Sequence, residues 1–286
     1  AIDDSPGSWI AENAAPLEVA TAAAGAGAPV TVEQAFGLAL PGVACESLGC
    51  AAIGAIYAAS PISAAPTFTS SSYLAGDDCS VVATAAAGAF SDPIAPARIC
   101  ERQLPLLVFV PATPAPATGY PTVIFAHGIG RSKEDLFALA GSFAAAGIAS
   151  VAVDAVDHGA RAVQVSMDVD VGCDGSVGEG RQCQTTFGPT CAPQCYAPLL
   201  SADLARTRDH LRQTVLDHLA LGAALAACGA GDGCGALLVD PDRIGFVGQS
   251  LGSLIGAVSV ATSPDIDAAV LNVGGADWLT VLTETQ

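Results

Sequence analysis

Arg243-Ile-Gly-Phe-Val-Gly-Gln-Ser-Leu-Gly-Ser253 reads as strand, sharp turn and helix in eleven residues. Ile244 to Val247 is a short buried strand and Leu254 to Ala261 an apolar helix; between them stands Gly248-Gln-Ser-Leu-Gly252, a G-x-S-x-G turn. A serine on such a turn takes a strained backbone, and side chains two residues to either side would collide. Glycine at both places leaves room for Ser250 Oγ to project above the sheet. The helix that follows aims its first amides at the same point. Other near-matches lack this context: Ser47 sits between two cysteines, and Ser176 follows Asp174-Gly175 in a loop.

Working outward, Phe125-Ala-His-Gly-Ile-Gly130 ends the strand expected beside the elbow strand. Its loop amides suit an oxyanion, with Leu251 as one donor, Ile129 as the second and Gly128 as the fallback. Gln249, His127 and His158 are possible cleft residues. Leu106 to Val110, Val123 to Ala126, Ala149 to Val153 and Ala268 to Val273 read as strands, and Ile53 to Tyr57 and Thr67 to Tyr73 as weaker strand-like pieces. Ser132 is placed to cap a helix whose apolar face is Leu136, Leu139, Ala140 and Phe143, with Gly147 to end it. Ser201 is placed to cap a long helix with Leu204, Leu211, Val215, Leu216 and Leu219 on one face. Strands alternating with helices predict a mostly parallel α/β sheet with helices on both faces.

Four segments carry a closer likeness: Tyr120-Pro-Thr-Val-Ile-Phe-Ala-His-Gly-Ile-Gly130, Ala152-Val-Asp-Ala-Val-Asp-His-Gly159, Arg208-Asp-His-Leu-Arg-Gln-Thr-Val-Leu-Asp217 and Gly248-Gln-Ser-Leu-Gly252. Together they resemble the α/β-hydrolases of the lipase and esterase type, and more narrowly the bacterial virulence-factor lipase family, which includes surface lysophospholipases. The resemblance covers residues 104–275 well and the first hundred loosely. It implies hydrolysis of a carboxylic ester or lipid through an acyl-enzyme on Ser250, without a cofactor. On this reading residues 1–103 are an Ala/Pro-rich, disulfide-tied region packing on the core. Residues 104–286 are an incomplete α/β-hydrolase core, with a Cys-rich insertion at 162–198.

The chain's 286 residues are 51% hydrophobic and 13% charged, which suits a folded protein with a sizeable core. Ten Lys and Arg against 28 Asp and Glu give a formal charge of −18, the wrong sign for nucleic acid. No long apolar run free of Gly, Pro or polar residues supports a transmembrane segment. Ten cysteines form an even set at short separations, which predicts Cys45–Cys50, Cys79–Cys100 and Cys228–Cys234 bridges and two more among Cys173, Cys183, Cys191 and Cys195. Disulfides point to a secreted, periplasmic or cell-surface protein, and a start at Ala1 without a signal sequence fits a mature form. Zinc would need C-x2-C pairs with histidines nearby, and none occurs. His210 and His218 stand about 12 Å apart along one helix, too far to share an ion and read as surface or packing residues. Asp168, Asp170 and Asp174 read as a solvated loop.

A serine hydroxyl needs a base, and in the order Ser, acid, His both partners follow the elbow. After Ser250 stand Asp265, Asp267, Asp277 and Glu284 but no histidine. The expectation is therefore that acid and histidine come from a further C-terminal segment or a second chain, with Asp277 a weak candidate acid. Two rival readings stay open: a non-catalytic hydrolase-fold binding or surface protein, and a serine peptidase.

Overall fold

Leu106, Val108, Ile124, Val151 and Val153 gather on one side of a sheet and Leu107, Phe109, Phe125 and Ala152 on the other, because successive strand residues point to opposite faces. Both faces are covered, so these strands are apolar throughout rather than alternating. The computed structural model of the chain describes residues 67–79, 87–162, 182–184, 194–196, 199–201, 203–229 and 237–275. Its strands are β1 (Thr67–Ser72), β2 (Cys100–Phe109), β3 (Tyr120–Ala126), β4 (Ala149–Val153), β5 (Gln182–Gln184), β6 (Gln194–Tyr196), β7 (Val239–Gln249) and β8 (Ala268–Asn272). Its helices are α1 (Phe137–Ala145), α2 (Leu204–Ala226) and α3 (Leu251–Thr262).

Six strands form one sheet in the order β1-β2-β4-β3-β7-β8. The pairs β4–β3, β3–β7 and β7–β8 are parallel; β1–β2 and β2–β4 are antiparallel. Leu136, Phe137 and Ala140 cover one face, and Leu221, Ala224 and Leu225 of α2 cover the other. This is the expected α/β architecture, a mostly parallel sheet between helices. β2 runs through residues 103 and 104, so the described part of the first hundred residues shares the sheet of the core. β5 and β6 form a separate two-stranded ribbon with Cys183 opposite Cys195. Cys79–Cys100 is a disulfide across the loop joining β1 to β2, and Cys228 is also disulfide-bonded. Cys45, Cys50, Cys173, Cys191 and Cys234, and the strand-like piece at 53–57, lie outside the described residues.

Several local expectations are corrected. Ser132 does not cap α1: a 3-10 turn over Lys133–Leu136 leads in, and no side chain caps the helix. Gly147 does end it, at φ 73°. The cap of α2 is Asp203, whose carboxylate accepts from Arg206 N–H at 3.0 Å, while Ser201 Oγ donates to the Asp203 carbonyl. Leu204 is 71% exposed rather than on the packed face. That face of α2 is largely polar, burying Thr207, Asp209, His210, Gln213, Thr214, Asp217 and His218. His210 and His218 are thus buried hydrogen-bonding residues rather than surface ones. An apolar stripe search misses such a face because the partners that satisfy it lie far away in sequence.

Candidate active site

Strand register builds the site. β3 and β7 pair with Ala126 beside Gly248, so the loop at 127–130 lies against the turn at Ser250. A Cβ on Gly128 would stand 3.5 Å from Ser250 Cβ. Ser250 has φ 53° and ψ −113°, a conformation L side chains rarely adopt. A Cβ on Gly252 would overlap the Ala126 carbonyl, and one on Gly248 would overlap the Gly252 carbonyl. Only glycine permits that backbone-to-backbone approach. Ser250 N–H donates to the Asn272 carbonyl at the end of β8, 2.9 Å away. The Ser250 side chain is half-buried, and among the described residues none hydrogen-bonds its Oγ.

Leu251 is the first residue of α3, where an N–H has no intrahelical acceptor. Among the described residues, the amides of Leu251, Gly128 and Ile129 donate to nothing. Ile129 and Gln249 are both exposed beside the turn.

His127 is buried and organises the 127–130 loop from beneath. Its Nε2 accepts from Ala155 N–H at 3.0 Å, so the ring proton sits on Nδ1 and is donated to the Gly128 carbonyl at 2.8 Å. Arg131 N–H donates to the same carbonyl at 3.2 Å. In a trans peptide C=O and N–H point opposite ways, so holding the Gly128 carbonyl turns the Ile129 N–H to the other side of the loop. Asp154, next in the chain after β4, accepts from the Lys133 amide (2.7 Å), Lys133 Nζ (2.8 Å) and Ala160 N–H (2.9 Å). Burial alone would raise the Asp154 carboxyl; the Lys133 charge and amide hold it below its ordinary value. Sequence reading missed Asp154 and Lys133, though a carboxylate at the end of a buried strand was the available signal.

The other histidines do not approach Ser250 Oγ by any hydrogen bond. His158 Nδ1 lies 2.9 Å from the Val156 carbonyl, and its buried Nε2 has no partner among the described residues. His210 Nδ1 meets Asp157 at 2.7 Å, beside an Arg206 that donates to both Asp157 oxygens at 3.0 Å. His218 Nδ1 lies 3.2 Å from Ser259 Oγ of α3. Asp267, just ahead of β8, accepts from Ile244 N–H in the middle of β7, at the opposite end of β8 from Asn272 and the elbow, and Asp265 stands two residues before it. Asp277 and Glu284 lie outside the described residues. The one group among the described residues with metal-ligand proximity is Asp77, Cys79 and Cys100, whose sulfurs form the disulfide and whose carboxylate pairs with Arg102.

Burial, with the His127 ring beside it, pushes His158 down to about 4; burial, with His127 and Arg161 nearby, pushes His218 down to about 3. Both values are depressed relative to the ordinary 6.5, so the fold keeps these rings neutral and the unfolded chain protonates them first. Their stabilisation is complete above pH 6.5 and is lost as pH falls toward 4, at roughly 1 kcal/mol per pH unit for each ring. Urea midpoints at pH 7.5, 5.5 and 4.5 should fall in that order; a flat profile across this window would contradict the burial of both rings.

No family model and no curated protein matches the chain. Solved structures similar to it include acetyl xylan esterase 1 from Thermoanaerobacterium, at 18% identity and TM-score 0.35 over 60% of this chain and 44% of that one. They also include a 2,6-dihydroxy-pseudo-oxynicotine hydrolase, at 18% identity and TM-score 0.38 over 62% of this chain and 35% of that one. A Pyrobaculum calidifontis esterase matches at 17% identity and TM-score 0.35, over 59% and 40%. The chain therefore spans less than half the length of each. All three scores lie below one half.

Proposed function

We propose that the chain carries the nucleophile and oxyanion side of a serine ester hydrolase of the α/β-hydrolase type, acting on a carboxylic ester or lipid through an acyl-enzyme on Ser250. The observation that carries this reading is the Ser250 backbone, held at φ 53° and ψ −113° between β7 and α3 with a half-buried, unbonded hydroxyl. A strained, over-determined serine at the carboxyl end of a parallel strand has little structural purpose. Unbonded amides at Leu251 and Ile129, with Gly128 in reserve, are available to a developing oxyanion. The narrower likeness to virulence-factor lipases belongs to the same proposal, as does an oxidising location outside the cytosol, which the Cys79–Cys100 bridge supports.

The base and acid come from polypeptide docked on β8. All five β8 residues are exposed, with Val270 at 60% and Leu271 at 42%, although a strand in a parallel α/β sheet is ordinarily covered. Such a segment would reach the sheet end where Ser250 stands, whereas the chain's four histidines are buried and, among the described residues, none hydrogen-bonds Ser250 Oγ. No helix among the described residues is long and apolar enough to cross a membrane. The test is fluorophosphonate labelling of the protein isolated from its native host, with the adduct mapped by mass spectrometry, alongside p-nitrophenyl ester and peptide-amide assays. A Ser250 adduct with ester turnover is expected. Turnover of peptides alone would favour a peptidase, and a folded protein with no adduct would favour the non-catalytic reading.

His127 supplies a check on the oxyanion assignment. His127→Ala frees the Gly128 carbonyl and lets the Ile129 amide swing, so kcat for a p-nitrophenyl ester should fall about 10²-fold with KM nearly unchanged. An unchanged kcat would remove Ile129 from the oxyanion role.

A further inference from the structure

We propose that Ser253 is a positioning residue: its hydroxyl latches the end of β7 to the end of β8 and so holds the Ser250 turn in shape. Ser253 is 2% exposed, and its Oγ lies 2.7 Å from the Gly248 carbonyl and 2.6 Å from the Asn272 carbonyl. A serine in a helix ordinarily bonds the carbonyl three or four residues back. Here the acceptors are five residues back and nineteen residues ahead, so the contact is tertiary and bridges two neighbouring strands. The single hydroxyl proton is shared between two carbonyls, one of which, Asn272, also receives the Ser250 amide. The Asn272 carbonyl therefore takes one donor from the serine that is to react and one from the serine three residues later.

Two strained residues flank this latch. Ser250 sits at φ 53° on one side and Val273, a β-branched residue, at φ 49° on the other. Such conformations persist where the surroundings over-determine them. Gly274 completes the arrangement, since a Cβ there would stand 2.7 Å from Ser253 Cβ. The chain leaving β8 is thereby pressed against Ser253, and the register of β8 is passed to the turn that presents Ser250.

The role rests on Ser250 being the reacting group, yet its first readout does not need catalysis. In Ser253→Ala, amide hydrogen exchange at Ser250 should quicken about tenfold while the amides of β3 keep their protection. A general loss of stability would quicken both alike. Fluorophosphonate labelling, and kcat for a p-nitrophenyl ester, should fall about tenfold with KM little changed. Gly274→Ala, which keeps the hydroxyl but displaces it, should act in the same direction and serves if Ser253→Ala does not fold. Wild-type exchange at Ser250 in either folded variant, or a loss of protection shared equally with β3, would overturn the latch. A wild-type protein that takes no label would instead undo the ester-hydrolase reading while leaving the exchange test in force.

Discussion

Ser250→Ala and Ser250→Gly should both lose fluorophosphonate labelling and reduce ester turnover by about 10³-fold or more, yet differ in stability. On the proposed mechanism activity falls in both because the Ser250 hydroxyl is the group that would form the acyl-enzyme. Stability separates them because φ 53° with ψ −113° is costly for any residue with a Cβ. Alanine retains that cost of about 1–3 kcal/mol, whereas glycine escapes it and loses only about 0.5–1 kcal/mol to the freer unfolded chain. The glycine variant should therefore be the more stable by about 1 kcal/mol, read as a higher urea midpoint. Equal stability, or a less stable glycine variant, would mean that the turn is not strained.

The second large effect lies in the polar layer beneath α2. Asp217 is 1% exposed and accepts from Arg161 Nη1 at 2.7 Å, Ser70 Oγ at 2.6 Å and Gln213 Nε2 at 2.9 Å. It ties α2 to β1 and to the loop after β4. Asp217→Ala leaves the buried Arg161 charge without its carboxylate, which costs about 3–5 kcal/mol. Against a total stability of about 5–15 kcal/mol, that removes a large share and should lower Tm by roughly 10 °C or more. The double variant Arg161→Met/Asp217→Leu takes away both charges and should recover much of the loss. A Tm for Asp217→Ala close to that of the wild type would mean that Arg161 finds another partner or water.

The elbow was legible because its rules are local. Periodicity marked Ile244–Val247 and Leu254–Ala261, and the spacing of Gly248 and Gly252 has one steric reason, the backbone contact that a Cβ would block. Strand Ala149–Val153 and the stop at Gly147 were legible for the same reason, since a short run of small and apolar residues and a positive φ are encoded within a few residues. Caps were misplaced by four and two residues: Ser132 and Ser201 have suitable side chains, but the path of the chain into each helix put Leu136 and Asp203 at the cap positions.

The amino-acid sequence by itself thus determined the strand–turn–helix that presents Ser250, the glycine loop beside it, and the alternation that makes a mostly parallel sheet. Tertiary structure alone decided that α2 turns a polar face inward, that the four histidines are buried, and that Ser253 bridges two strands. The physical reason is range. Asp217 meets Ser70 across 147 residues and His210 meets Asp157 across 53. A buried charge is stable only beside partners that folding brings to it, so no local pattern announces which charges will be buried.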